Sequence, residues 1–198
     1  MQEVPEGTKR QILTAALETL RTEGFAGATS RAVAARGGFN QALVFYYFGS
    51  MDALLLAALD WTSEERLTAY RAALADARTV ADVIAAAKPL YEEDRASGHI
   101  DVISQMIAGS VARPELAPQM IERMQPWIDL SEEVLERVLG RSPLTTLVPT
   151  RELASAVVTF YLGANLLTHL DPEGNRAEAM VARLAELEPV LSALAGDG

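Results

Sequence analysis

Asn40, Gln41 and Ala42 stand together and run into Phe45, Tyr46, Tyr47 and Phe48. A carboxamide offers a paired donor and acceptor, and a small methyl fits beside it. Both kinds of group read base edges in a DNA major groove. Tyrosine hydroxyls close to such residues suit phosphate oxygens. Other chemistry is sparse. The chain has no cysteine, so it can form neither a disulfide nor a thiolate metal site, and it has no cysteine nucleophile. Of its histidines, His99 stands near Glu92, Glu93, Asp94 and Asp101, but the spacing matches no dedicated metal motif. A solvated helix end is the expectation there. His169 falls near the end of an expected helix, where the dipole favours a cation. Gly37-Gly38 is too short for a phosphate-cradling loop. Ser104 and Ser155 have no base that sequence places beside them. No catalytic residue, metal site or cofactor is therefore expected.

Local sequence dictates how the reading residues are held. Thr29 is a good N-cap, and Ala32, Val33 and Ala35 give the helix behind it a small apolar face. Gly37-Gly38 can supply the positive φ of a sharp turn. Asn40 caps a helix of about two turns, with Phe45 and Phe48 expected in its core. This is a helix-turn-helix, one helix that holds and one that reads. An amphipathic helix precedes it. Thr8 with Gln11 forms an expected capping box, Ile12, Leu13, Ala16, Leu17 and Leu20 form the buried face, and Gly24-Phe25 forms the stop. Further helices are expected over residues 51–75, 79–97 (opened by Thr79 and Asp82), 100–113, 118–139 and 150–170. Residues 140–149 read as a loop, and Asn175 with Glu178 caps a last helix. No run alternates as a half-buried strand does. The fold class is all-α, with a helix-turn-helix domain over residues 1–52 and a helical effector-binding and dimerisation domain over 53–198.

Residues 8 to 59 resemble the DNA-binding domain of the tetracycline-repressor (TetR) family of bacterial transcription regulators. KRQILTAALETLRTEGF, TSRAVAARGGF, the short reading helix, the aromatic segment ending at Phe48, and a helix opened by Ser50 with Asp52, Leu54 and Leu55 follow in the family's order. Family members often carry a basic residue at the position of Gln41, a histidine at Tyr47 and a lysine at Met51. All three are uncharged here. Fewer phosphate charges are neutralised, so weaker non-specific affinity is expected, and a lysine contact at Met51 does not carry over.

The net charge of −10 would repel DNA if it were spread evenly. It is not. Residues 1–52 balance Lys9, Arg10, Arg21, Arg31 and Arg36 against Glu3, Glu6, Glu18, Glu23 and Asp52, so the excess acid lies in 53–198. An apolar content of 49% excludes general disorder. The N-terminus shows no signal-peptide core. The most apolar stretch, 153–167, is too short and too interrupted by Ser155, Thr159 and Asn165 to span a bilayer. A cytoplasmic protein with no membrane partner is expected.

Leu153, Val157, Phe160, Ala164 and Leu167 repeat with the spacing of a helix-pair seam. Met180, Leu184, Leu187, Leu191 and Leu194 do the same. The first of these helices has a second apolar side, Ala156, Thr159, Leu162 and Leu166, with Gly163 for close approach. An ordinary core helix would show this too. The family resemblance implies a two-fold four-helix interface instead, with two reading heads on a palindromic operator. Candidate effector contacts are Tyr91, Met106, Met120, Met124, Trp127, Phe160 and Asn165, in helices interrupted by Pro89 and Pro126. Few charges fall on their inward faces, so an apolar or amphipathic small molecule is expected.

The sequence thus points to a ligand-responsive transcriptional regulator, a homodimeric repressor released from double-stranded operator DNA by its effector. Thr29, Ser30 and Arg31 are expected at phosphates, Gln41 and Ala42 at bases with Asn40 near them, and Tyr46 and Tyr47 on the backbone. The alternative is an all-helical enzyme or small-molecule-binding protein that uses a central cavity and reads no sequence.

Overall fold

The computed structural model of the chain describes residues 6–140 and 142–170 and, beyond them, only positions 179, 183, 186, 189, 190 and 193. The elements in order are α1 (Glu6–Gly27), α2 (Ser30–Gly37), α3 (Ala42–Phe48), α4 (Met51–Ala73), α5 (Val80–Ser97) and α6 (His99–Ala112). A 3₁₀ turn (Pro114–Leu116) follows, then α7 (Ala117–Leu139), α8 (Leu144–Leu147) and α9 (Thr150–Leu170). The described residues contain no strand. The expected all-helical class is thereby confirmed.

Most helix ends follow the expected chemistry. Thr29 Oγ1 accepts the Ala32 N–H at 3.2 Å, and Ser50 Oγ accepts the Ala53 N–H at 3.1 Å. Thr79 and Asp82 form a reciprocal box, with N–H to oxygen distances of 2.9 and 3.1 Å. These bonds hold Asp82 below the usual carboxylate pKa, the backbone N–H of Arg78 contributing most and Thr79 next. Two expectations fail. α1 is already helical at Glu6, so Thr8 lies inside the helix and is not its cap. Residues 140–149 contain the one-turn helix α8. The seam residues of the last predicted helix, Met180, Leu184, Leu187, Leu191 and Leu194, lie outside the described residues.

The chain packs as two compact units. Met1–Glu65 with Gly98–Glu122 forms one, and Arg66–Ser97 with Arg123–Gly198 forms the other. α4 and α7 each contribute to both. This is a division by packing, and it differs from the functional division at residue 52, which remains a proposal.

The first unit contains the helix-turn-helix. Ile12, Ala16 and Leu20 of α1, Val33 of α2, Val44 of α3 and Leu54, Leu55 and Ala58 of α4 are buried against one another. Ile12, Ala16 and Leu20 recur every four residues, and Ala58 follows Leu54 and Leu55 by four and three, so each set shares a helix face. Each fully buried Val, Leu or Ile side chain contributes about 1.5–3 kcal/mol. α6 belongs to the same unit, and Val102 and Met106 enter this core. Gly24, at φ 71°, breaks the helical path of α1, and the Phe25 N–H then donates to Gln105 Oε1 at 3.1 Å. The Phe25 ring lies against Gly109, where an added Cβ would sit 2.3 Å from a ring carbon. An ion pair between Arg113 and Asp52 joins the end of α6 to the start of α4.

The second unit has its own apolar seam. Leu130, Val134 and Val138 recur every four residues on α7 and are buried with Leu74. Arg137 donates to the carbonyl oxygens of Leu74 and Ala75 at 2.7 and 3.1 Å. A cation there satisfies acceptors at the end of α4 that the helix itself leaves open.

Candidate functional site

The turn between α2 and α3 uses its two glycines differently. Gly38 takes the left-handed conformation, φ 69°. Gly37 is still helical and is needed for space, since a Cβ there would meet the Phe39 ring at 2.1 Å and Ala15 Cβ at 2.9 Å. Gln11 Nε2 of α1 donates to the Gly37 carbonyl at 2.8 Å. Arg36 donates to Thr19 Oγ1 and Thr22 Oγ1 at 3.1 and 2.8 Å and pairs with Glu23 at 2.8 Å. Its guanidinium thus fastens α2 to α1 from the surface of the head.

Asn40 Oδ1 accepts the Ala42 N–H at 2.9 Å, which starts α3 as expected. α3 is short, and its two faces are unlike. Val44 is fully buried, and Leu43, Tyr47 and Phe48 pack against the same core. Gln41, Ala42, Phe45 and Tyr46 are exposed. The expectation that Phe45 supplies core is therefore corrected, because its ring is half exposed at 50%. A residue one position after Val44 turns by about 100° around the helix, which carries it off the buried face. Tyr46 is 73% exposed, and its ring meets that of Tyr47 edge-on with centroids 5.0 Å apart.

The structure places the remaining DNA candidates on the same head. Thr29 and Arg31 are exposed and Ser30 is partly so, at the start of α2. One cation was counted in the sequence but given no position there. Lys9 Nζ lies 5.8 Å from the Phe48 ring centroid, beside the end of α3. α3 and α4 meet at a bend of 67°. No single described helix is long and apolar enough to cross a membrane. The bent pair passes by length and composition, but its apolar residues Val44, Leu54, Leu55 and Ala58 are core.

The effector candidates do not form one group. Met106 and Met120 are buried in the core of the first unit with Ile12 and Leu54. Tyr91, Met124, Trp127 and Phe160 belong to the second unit, and for Asn165 only the backbone is described. His99 is buried rather than solvated, at the start of α6. Among the described residues no three His, Asp or Glu side chains converge as metal ligands would.

Tyr91 and Trp127 border a cluster that sequence reasoning missed. Asp94, with 0% exposure, accepts the hydroxyls of Tyr70 and Tyr161 on Oδ2 at 2.8 and 2.9 Å. Arg66 Nε pairs with its other oxygen, and Arg66 also reaches Glu93 at 3.0 Å and the Leu90 carbonyl at 3.1 Å. Trp127 meets Tyr70 edge-on at 5.6 Å, and Tyr91 meets Tyr161 at 6.0 Å. Burial, then the charge of Asp94, pushes the Tyr70 phenol well above its usual pKa. Burial does the same for Tyr161, with Tyr70 and Asp94 adding to it. Burial alone would lower Arg66, but Glu93 and Asp94 outweigh it and raise the pKa. The missed signal was the spacing of Tyr91 and Asp94. They stand three residues apart and so share a face of α5, yet Asp94 sits in an acidic run that reads as solvated.

α9 is not buried on either expected seam as a whole. Ala154 and Ala164 are buried, and Tyr161 turns inward to Asp94. Val157, Leu166 and Leu167 are exposed at 48%, 54% and 39%, while Leu153 and Phe160 are half-buried. Ser155 and Thr159 donate their hydroxyls to carbonyls of their own helix at 2.9 and 2.8 Å, so the outward stripe stays largely apolar.

Comparison with known proteins places this geometry. Residues 12–58 match the family model for bacterial regulatory proteins of the tetR family. The chain is 41% identical over 59 residues to the HTH-type transcriptional dual regulator CecR of Shigella flexneri, covering 30% of this chain and 26% of that protein. It is 33% identical over 98 residues to the HTH-type transcriptional regulator BetI of Paraburkholderia phytofirmans, covering 46% and 48%. It thus spans about a quarter and about half of these curated relatives. The fatty acid degradation regulator FadR from Bacillus halodurans shares its fold, with a TM-score of 0.75 at 16% identity over 94% of this chain and 96% of that one.

Proposed function

We propose that this chain, which belongs to the TetR family of bacterial regulatory proteins, is a sequence-specific, effector-responsive transcriptional repressor that acts as a homodimer on a palindromic operator. One observation carries the reading. α3 exposes Gln41, Ala42 and Tyr46 on one side while its other side is locked into the core by Val44 and Phe48. A short helix held rigidly from behind and bare in front is what a major groove admits. Gln41 and Ala42 face bases, with Asn40 beside them. Thr29, Ser30, Arg31, Tyr46, Tyr47 and Lys9 hold the phosphate backbone.

The face of α9 that carries exposed Val157 and Leu167, together with half-buried Leu153 and Phe160, forms the centre of the dimer interface. A second copy covers it and sets the spacing of two heads. The effector is a small apolar or amphipathic molecule that binds among Tyr91, Met124, Trp127 and Phe160. Arg66 and Tyr70, which hold Asp94, lie on α4, and α4 starts at the head with Met51. A ligand that rearranges this cluster shifts α4 and lowers operator affinity, and by linkage the operator then lowers ligand affinity by the same factor.

The test is selection from randomised duplexes at several salt concentrations, followed by fluorescence anisotropy. Enrichment of an inverted repeat is the expected result, with Gln41→Ala relaxing sequence preference and Tyr47→Phe weakening all sequences alike. Failure of the folded protein to enrich any sequence contradicts the reading. It would favour the alternative of a small-molecule binder or enzyme without DNA specificity.

A further inference from the structure

We propose that Phe45 is a base-reading residue, and that it selects thymine through the C5-methyl group at a position of the half-site next to the one Gln41 reads. The inference deepens the proposed function and rests on this head being a sequence reader.

Phe45 stands one turn after Gln41 and three residues after Ala42, so all three share the outward face of α3. Its ring is 50% exposed while the adjacent Val44 is fully buried. The inner face of α3 thus has its full complement of apolar side chains without Phe45. A phenyl ring neither donates nor accepts a conventional hydrogen bond, so it cannot anchor a phosphate as a tyrosine can. It gains only by meeting apolar surface. Among major-groove base edges the apolar group is the thymine methyl, which phenylalanine and alanine side chains both contact.

The occupant of this face is DNA rather than a protein partner for two reasons of placement. The ring is continuous with the amide of Gln41, which suits a base edge. Basic side chains, Lys9 beside Phe48 and Arg31 on α2, stand on the same unit, as phosphate contacts require. α3 itself has no charged residue, so its outward surface is one amide, two apolar groups and a phenol. Such a surface discriminates by methyl groups and by the adenine edge that Gln41 can take in bidentate fashion. The half-site it fits is A·T-rich at its centre.

The experiment replaces each thymine of the selected duplex, one per half-site at a time, with uracil. This removes the methyl group and leaves pairing intact. Anisotropy with the wild-type chain is expected to show one symmetric pair of positions where uracil weakens binding by about an order of magnitude, roughly four-fold per methyl. Phe45→Ala is expected to bind the thymine duplex as weakly as the wild type binds the uracil one, and to be indifferent to uracil at that position. Ala42→Gly keeps its sensitivity there, which separates the two apolar groups by their non-additivity. The uracil scan is made on the wild-type chain, so it does not depend on any variant folding. An operator insensitive to uracil at every thymine overturns the inference alone, and so does a Phe45→Ala chain that still distinguishes uracil. Failure to enrich any operator overturns the reader and this inference together.

Discussion

Tyrosines are placed in opposite ways in the two units. On α3, Tyr46 is 73% exposed and stands beside the half-exposed ring of Phe45. In the second unit Tyr70 and Tyr161 turn their hydroxyls onto a carboxylate with no exposure at all. The same residue type is an outward surface in one place and an internal bond in the other. The lesson concerns separability. Where hydroxyls and charges are satisfied within the chain, removing one leaves its partners buried and unpaired. Where an aromatic stands outside a completed core, removing it costs little stability and changes what the surface can bind.

The strongest way to break this contrast is Asp94→Ala. It strips the partly buried Arg66 of one carboxylate and two phenols of their acceptor. The expected loss is about 3–5 kcal/mol, read as a large fall in thermal midpoint by circular dichroism. An unchanged midpoint would mean that the cluster does not hold the second unit together. A milder probe of the same cluster is alkali. Tyr70 and Tyr161 keep their protons more tightly folded than unfolded, since both pKa values are raised above the ordinary value of 10.0. Their contribution is fully present below about pH 10 and is lost as the pH rises beyond it. Unfolding is expected to track phenolate absorbance there, and Tyr70→Phe with Tyr161→Phe is expected to flatten that dependence. The smallest effect belongs to the head. Thr29→Ala removes the cap on the Ala32 N–H and is expected to cost about 1 kcal/mol of stability. It is also expected to weaken binding to all duplexes equally, through the lost phosphate contact. A change in sequence preference would show that Thr29 reads bases instead.

The head was the more legible half in sequence because its signals are local. Thr29, Gly38, Asn40 and Ser50 act on N–H groups or dihedrals within a few residues, so their types alone declare their roles. Phe45 was misplaced because an apolar ring suggests core, and only the phase of a seven-residue helix shows otherwise. The second unit depends on pairings distant in the chain. Asp94 of α5 meets Arg66 and Tyr70 of α4 and Tyr161 of α9, and no spacing within one segment reveals that. Met106 and Met120 have the helical spacing of cavity residues, but α6 and the start of α7 join the first unit, so these side chains fill a core. On α9 the apolar residues number more than one face can take. The repeat alone therefore could not separate buried Ala164 from exposed Val157.

The most direct test compares neighbours, Val44→Ala and Phe45→Ala, for thermal midpoint and for affinity to the selected duplex in the same preparations. Val44→Ala is expected to lose about 2 kcal/mol of stability, from deleted methyls and the cavity they leave. Phe45→Ala is expected to keep its midpoint and lose operator affinity. If instead Phe45→Ala melts early and binds the operator as the wild type does, then α3 has no reading face separate from its packing face, and the account of this head is wrong.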